Sequence, residues 1–245
     1  MSPIRGWLFT VALVATAIRD LWGYQVWARL HGASTSRAVR VLQRWSQHAW
    51  RWLRLDVRVD GRPLDEPCVY VANHRSYLDI PVLAGALGVA FMSRADVATW
   101  PVVGAAAQAV GSVFVERDDP NGRIRAARAL ARRLRSGSVA VFPEGTTTGD
   151  RLPAAFHPGL FRLLHRLGVP VVPVTIRYGD ARAYWVEDVS LRDHLRRLEH
   201  AVRGVAAVVH IGAPLDARAH ADGTSLGQAA WSAVSRPIDE LGELA

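Results

Sequence analysis

The fold is decided by residues 68–88, CVYVANHRSYLDIPVLAGALG. The short apolar run at its start, CVYVAN, has the length and β-branched content of a buried strand. Residues 79–88 have the composition of a helix, and a polar stretch, NHRSYLD, separates the two. The segment therefore predicts a strand, a loop and a helix in succession, which is the repeating unit of an α/β fold.

The same alternation continues on both sides of this segment. Helix-like stretches at 96–110, 121–136, 159–168 and 225–242 separate further apolar runs typical of strands. These runs are DVRVDG (56–61), VAFMSR (89–94), GSVFVER (111–117), SVAVFPEG (138–145), VPVVPVTIRY (169–178) and GVAAVVHIG (204–212). We predict helices packed around a mixed, largely buried β-sheet, forming one domain over residues 56–245. A chain of 245 residues is the right size for this.

Residues 1–55 have a different character. An apolar run of 12 residues, 7–18, is followed after Arg19 and Asp20 by LWGYQVW. Since about 20 residues are needed to span a bilayer, we predict a hairpin that dips into one leaflet, with a cleaved secretory signal as the alternative. Residues 34–55 place apolar side chains at helical spacing among arginines and tryptophans, which fits a helix at a membrane interface or an ordinary packing helix. We expect 1–55 to form membrane-associated helices.

Net charge and composition limit the classes of binding partner. The net charge is +8 and all 30 basic residues are arginine, which permits nucleic acid or an anionic membrane surface as partner. The arginine-rich helix at 122–137 also carries an apolar stripe for core packing, and no groove-reading motif is present, so we expect a membrane surface and no nucleic acid. The single cysteine, Cys68, excludes a disulfide framework, and the histidines lack metal-binding spacing, so no metal site is predicted.

The first candidate for chemistry is the loop NHRSYLD at 73–79. His74 and Asp79 lie where a strand ends, a common place for active sites. An imidazole held by a carboxylate through one ring nitrogen can take a proton from a hydroxyl with the other. Because a histidine and an aspartate five residues apart also occur in structural loops, the catalytic assignment depends on the neighbouring motifs.

Two further strand ends carry polar residues. FVERDD at 114–119 places Arg117 just before a basic helix, where it can bind a phosphate or carboxylate, or pair with the adjacent aspartates. In FPEGTTTGD at 142–150, Gly145 allows close approach of the backbone to a ligand, and Thr146 offers an amide and a hydroxyl. Glu144 could orient the substrate or support the arginine.

Taken in order, NHRSYLD, Gly111 to Arg117, FPEGT and VPVVPV resemble the four sequence blocks of the glycerolipid acyltransferase family, which includes bacterial 1-acyl-glycerol-3-phosphate acyltransferases. The resemblance covers residues 68–178. It implies an α/β fold with an N-terminal membrane anchor, at the inner membrane with the catalytic site facing the cytoplasm. It further implies His74 as general base and Asp79 as its partner, with Arg117, Glu144, Gly145 and Thr146 binding substrate.

The reaction implied is transfer of a fatty acyl group from coenzyme A or acyl carrier protein to the hydroxyl of a lysolipid, without a bound cofactor. The expected acceptor is 1-acyl-sn-glycerol-3-phosphate, giving phosphatidate. However, Thr147 stands where phosphate-acceptor members usually have an arginine, so a lyso-ornithine lipid or another lysophospholipid is an alternative acceptor. A thioester hydrolase and a non-enzymatic lipid-binding protein are alternatives of other classes.

Overall fold

A seven-stranded sheet forms the centre of the protein, as seen in a computed structural model that describes residues 3–116, 119–186 and 204–241. The order is β1-β7-β6-β2-β5-β3-β4, and only the β6–β7 pair is antiparallel. All seven predicted strands and the mixed sheet are confirmed. The strands are β1 (Leu55–Asp60), β2 (Val69–Ala72), β3 (Ala90–Arg94), β4 (Val113–Val115), β5 (Val139–Val141), β6 (Val171–Tyr178) and β7 (Val205–Ile211).

Helices cover both faces of the sheet. Tyr70 of β2 belongs to the core on the face of the helix Asp79–Leu87, whereas its neighbour Val71 belongs to the core on the face of the helices Pro120–Arg133 and Pro158–Leu167. This follows from the alternation of side chains along a strand, and both faces of β2 are buried. The helices are α1 (Pro3–His31), α2 (Thr35–Trp52), α3 (Asp79–Leu87), α4 (Val103–Ala109), α5 (Pro120–Arg133), α6 (Pro158–Leu167) and α7 (Gly223–Leu241).

The helix predicted over 96–110 is divided into two pieces. A 3₁₀ helix covers Ala95–Thr99, and α4 begins only at Val103. The break falls at Pro101, whose ring removes a backbone donor and disfavours helical geometry in the preceding residue. Two further 3₁₀ turns, Ala181–Ala183 and Ala217–Ala219, lie in connections.

The predicted N-terminal hairpin is wrong, because α1 is one continuous helix. Arg19 and Asp20, the expected break, pair with each other on the helix surface, Nε to Oδ1 at 2.8 Å. Exposed charges do not interrupt a helix, and no proline lies between the two apolar runs. Among the described residues, no helix is both long enough and apolar enough to cross a membrane.

Helix α2 packs against α3 through one face. Gln47 donates from Nε2 to the carbonyl of Gly85 at 3.0 Å, and Nε1 of Trp50 donates to the carbonyl of Pro81 at 2.9 Å. A side chain on Gly85 would collide with the Trp50 ring, since a Cβ there would lie 2.3 Å from it. This face of α2 is therefore a packing face, while its arginines lie on the remainder of the helix surface.

The sheet brings the candidate motifs to one side. Strands β2 to β6 are mutually parallel, so their carboxyl ends all lie along one side of the sheet. We call this side, formed by the strand ends, the site edge. The NHRSYLD loop leaves β2 there, and the FPEGTTTGD segment leaves β5. Because β2 lies between β5 and β6, residues that follow these three strands meet near the middle of the site edge.

Candidate functional site

His74 and Asp79 form a hydrogen-bonded pair at the site edge. Nδ1 of His74 lies 2.7 Å from Oδ2 of Asp79, and because an ionised carboxylate can only accept, Nδ1 carries the proton. The aspartate is fully buried in the first turn of α3, whereas the histidine side chain is 20% exposed. The ring of His74 also stacks on Phe142, with centroids 4.0 Å apart. In the neutral imidazole, Nε2 is then the lone-pair acceptor.

Asp79 is held by three further donors. Its Oδ2 accepts from the backbone N–H groups of Arg75 at 2.7 Å and Ser76 at 2.9 Å, while Oδ1 accepts from the hydroxyl of Tyr178 at 2.7 Å. Burial raises the pKa of the Tyr178 hydroxyl well above its ordinary value, so this residue stays a donor. The four bonds satisfy both oxygens of a carboxylate that water does not reach, and they keep it pointed at His74.

Glu144 connects the loop that follows β5 to the histidine loop. Its Oε1 accepts from the backbone N–H of His74 at 2.6 Å, and its Oε2 accepts from Thr148 Oγ1 at 3.1 Å and from the N–H of Ala154 at 2.7 Å. Burial raises the pKa of the Glu144 carboxyl, although these donors oppose the shift. Both oxygens are engaged within the protein, so this geometry supports a role in positioning His74; contact with substrate stays a prediction.

Arg75 makes a second connection between the same loops, and sequence reasoning missed it. The side chain is buried, 3% exposed, and its guanidinium donates to the carbonyls of Thr148 at 3.1 Å and Arg151 at 2.7 Å and to that of Asp150. It also donates to Thr148 Oγ1 at 3.0 Å. The only sequence signal was its place within NHRSYLD, because its partners lie more than 70 residues away.

Between these two connections, the segment after β5 makes a tight turn. Gly145 has a φ of 78°, a left-handed conformation that glycine adopts without strain. Thr148 is occupied internally, since its N–H donates to the carbonyl of His74 at 3.0 Å. Among the described residues, no hydrogen bond occupies the N–H groups of Thr146 and Thr147. These two amides are thus the turn's candidate donors to a substrate oxygen.

The remaining predicted features have different outcomes. Arg117 lies outside the described residues, so its predicted role is untested. VPVVPV, the fourth of the sequence blocks, contributes to β6, which is buried along its whole length. Cys68 is buried beside Ser138, and burial raises the pKa of its thiol, which disfavours the nucleophilic thiolate. The described residues contain no group of side chains placed to hold a metal ion.

The arrangement defines a class of site: an imidazole oriented by a buried carboxylate, with one ring nitrogen open to a hydroxyl. Two candidate donor amides lie in the turn whose Thr148 bonds the carbonyl of His74. Such a site suits acyl transfer in which the acceptor's own hydroxyl attacks. The sequence pattern of the acyltransferase family matches residues 54–177, half of the chain.

Individual proteins point the same way. A lyso-ornithine lipid O-acyltransferase of Pseudomonas aeruginosa is 35% identical over 189 residues, covering 75% of this chain and 72% of that protein. A chloroplastic 1-acyl-sn-glycerol-3-phosphate acyltransferase of Brassica napus is 39% identical over 115 residues, 46% of this chain and 33% of that one. The crystal structure of the 1-acyl-sn-glycerophosphate acyltransferase PlsC from Thermotoga maritima superposes with a TM-score of 0.72 at 25% identity, covering both chains completely.

The chain belongs to the acyltransferase family. It is an O-acyltransferase with the mixed α/β fold of PlsC, as the sequence blocks implied.

Proposed function

We propose that the protein transfers a fatty acyl group from a thioester to the free hydroxyl of a lysolipid, with His74 as general base and Asp79 as its orienting partner. The observation that carries the proposal is the 2.7 Å bond from Nδ1 of His74 to the buried carboxylate of Asp79. This bond leaves Nε2 free to accept a proton at the site edge.

In the proposed reaction, Nε2 of His74 removes the proton of the acceptor hydroxyl as its oxygen attacks the thioester carbonyl. Asp79 stabilises the imidazolium that forms, and the N–H groups of Thr146 and Thr147 are candidate donors to the oxyanion. When the tetrahedral intermediate collapses, the carbon–sulfur bond breaks and the imidazolium returns its proton to the departing thiolate. The products are an ester and a free thiol.

Two acceptors are candidates. 1-acyl-sn-glycerol-3-phosphate is the acceptor named for several similar proteins, and Arg117 would bind its phosphate. A lyso-ornithine lipid is favoured by Thr147, which removes one cation from the family's usual phosphate-binding set, and by the names of the relatives from Pseudomonas aeruginosa and Rhodobacter capsulatus. Charge-assisted bidentate contacts are the strong ones in phosphate recognition, so the loss is substantial. We therefore place the lyso-ornithine lipid first.

We further propose that residues 1–55 attach the protein to the inner membrane as a peripheral or monotopic element, with the catalytic part, 56–245, on the cytoplasmic side. The acyl donor in this proposal is acyl-coenzyme A or an acylated acyl carrier protein. The exposed apolar side chains of α1 support the attachment, since Val14, Ile18 and Trp22 lie on one side of the helix.

The test incubates purified protein with labelled acyl-coenzyme A or acyl carrier protein thioesters and a panel of lysophosphatidate, other lysophospholipids and lyso-ornithine lipid. We expect one acceptor to gain an acyl chain, and the His74→Ala variant to lose at least about a hundredfold in turnover while its thermal unfolding is unchanged. A loss below about tenfold would remove His74 from the mechanism. Consumption of thioester without an acylated lipid would make the protein a thioester hydrolase.

A further inference from the structure

A buried arginine at the end of α5, Arg133, has no carboxylate partner among the described residues. It is 8% exposed, and burial lowers the pKa of its guanidinium. Its Nη1 donates to the hydroxyl of Ser136 at 3.4 Å, whereas its buried Nε donates to no acceptor in the described part of the chain. A buried charge without a counter-ion is costly. Arg133 therefore keeps a charge that the fold around it does not neutralise.

This arginine lies on the side of the sheet opposite the site edge. Helices α4 and α5 follow strands that end at the site edge, and each helix leads back to the amino end of the next strand. We call the side formed by the amino ends of β2 to β6 the opposite edge. Helix α2 begins there too, because Ala38 and Val39 share a core cluster with Val110, at the end of α4.

The guanidinium lies close to the start of α2. A Cβ on Gly111 would be 3.4 Å from Nε of Arg133 and 3.3 Å from Cγ2 of Thr35, the first residue of α2. The terminal nitrogens of Arg133 pack against Gly137, where a Cβ would be 2.7 Å from Nη1. A side chain at position 137 would displace the guanidinium, and one at position 111 would fill the space between Arg133 and Thr35.

The start of α2 supplies hydrogen-bond donors that suit an anion. The N–H groups of Thr35 and Ser36 are the first two of the helix, and no hydrogen bond within the described ranges occupies either of them. The hydroxyl of Ser34 accepts from the next N–H, that of Arg37, at 3.3 Å. Because α2 has 18 residues, its first turn is the positive end of a helix dipole.

The segments that meet at this junction carry no negative side chain. Residues 26–54, 97–115 and 120–143 contain no aspartate and no glutamate, and the last of these ranges contains six arginines. These segments therefore cannot supply a counter-ion for Arg133. The charge of the junction favours a negatively charged ligand.

We propose that this junction is a binding site for a phosphate group, held by the guanidinium of Arg133 and by the N–H groups of Thr35 and Ser36. Arginine and the amino end of a helix are both well suited to phosphate oxygens. The occupant is a soluble phosphate monoester. It is an effector and not the acyl acceptor, because the site lies across the sheet from His74. By joining α2 to α5, it stabilises the packing of the first two helices on the sheet.

The test measures binding of inorganic phosphate to the full-length protein by calorimetry and by thermal unfolding, with sodium chloride at equal ionic strength as reference. Phosphate at about a hundredfold its Kd should raise the Tm by about 5 °C. Arg133→Met should weaken phosphate binding at least about tenfold. Without phosphate, the Tm of this variant should equal or exceed that of the wild type, because an unneutralised buried charge is removed. Arg132→Met is the matched control, since it removes the same charge at an exposed neighbour, and it should bind phosphate normally.

Three results would overturn the inference: a response to phosphate no larger than that to chloride, binding by Arg133→Met equal to that of the wild type, or an equal loss in Arg132→Met. The last result would mean that anions are attracted to the basic surface in general. Glucose 6-phosphate and dihexanoyl phosphatidate distinguish the sources of the phosphate group. Binding of glucose 6-phosphate that depends on Arg133 supports a soluble monoester, whereas Arg133-dependent binding of the phosphatidate alone would replace it with a lipid headgroup. His74→Ala should bind inorganic phosphate as the wild type does, and a loss there would place the phosphate in the active site.

Discussion

The substitution Asp79→Asn separates the charge of the aspartate from its geometry. The backbone N–H groups of Arg75 and Ser76 point at the position of Oδ2, so only the oxygen of an asparagine amide fits there. That oxygen still accepts from Nδ1 of His74, and the amide NH₂ can donate to the hydroxyl oxygen of Tyr178. The tautomer and the orientation of His74 are thereby retained. What disappears is the negative charge beside the imidazolium that forms during reaction.

The expected loss of turnover follows from the distance between the two charges. At 2.7 Å and an effective dielectric constant of about 20, the attraction between the two charges is about 6 kcal/mol, an upper bound on the loss. At about 1.4 kcal/mol for each factor of ten, a loss of roughly two-thirds of this value gives a turnover about a thousandfold lower. Single-turnover rates with acyl-coenzyme A and a saturating acceptor measure the effect directly, together with the thermal unfolding temperature.

Tyr178→Phe is the matched control, because it removes one donor to Oδ1 and keeps the charge. We expect it to lower the free energy of unfolding by about 1.5–3 kcal/mol while turnover stays within about tenfold of the wild type. If Asp79→Asn keeps more than a tenth of the activity, or if Tyr178→Phe is equally inactive, the charge is not what Asp79 contributes.

Substitutions at three further positions probe the loop that follows β5 and its connections. Arg75→Leu leaves three carbonyls without their donor, so the free energy of unfolding should fall by about 2–5 kcal/mol and trypsin should cleave after Arg151 faster. Arg75→Lys should restore part of both. An unchanged cleavage rate would contradict the role of Arg75 in joining the two loops. For Glu144, the folded pKa lies above the unfolded value, so its contribution to stability is present below the unfolded pKa and is lost as pH rises through the folded one. Urea unfolding from pH 4 to 8 measures the difference in the free energy of unfolding between wild type and Glu144→Gln. This difference should change between the two pKa values and be constant above them. A difference that is constant throughout would disprove the raised pKa of Glu144. Thr147→Arg should raise the preference for lysophosphatidate over lyso-ornithine lipid about tenfold in a competition assay, and no change in preference would mean that position 147 does not contact the headgroup.

Much of the fold could be predicted because the strands are short apolar runs, and the central strands β2, β5 and β6 have both faces buried. In such a sheet the pattern along the chain reflects the local environment of each residue. Helix ends were harder to predict. The break at Pro101 had a visible cause, whereas the continuity of α1 past Arg19 and Asp20 depends on exposure, which the sequence alone does not report.

The candidate site, too, could be predicted from the sequence only in part. His74 and Asp79 are five residues apart, so their pairing needs only one loop and one helix turn. Tyr178 and Arg75 could not be predicted, because the tyrosine is 99 residues from Asp79 and the arginine reaches 73 to 76 residues along the chain. Such contacts depend on which strands are neighbours, and neighbours in a parallel sheet are not neighbours in sequence.

Because β2 lies between β5 and β6, enzymatic activity requires a completely folded central sheet. His74 is oriented by groups that follow β2 and β5 and by Tyr178 at the carboxyl end of β6. Each parallel pairing among these strands joins distant parts of the chain. Pairings of this kind form late and are slow, since a long loop must close before any contact forms. A folding intermediate with native helices and an incomplete central sheet would therefore be inactive. During refolding, recovery of acyl transfer should accompany the last slow step, after helical circular dichroism has returned.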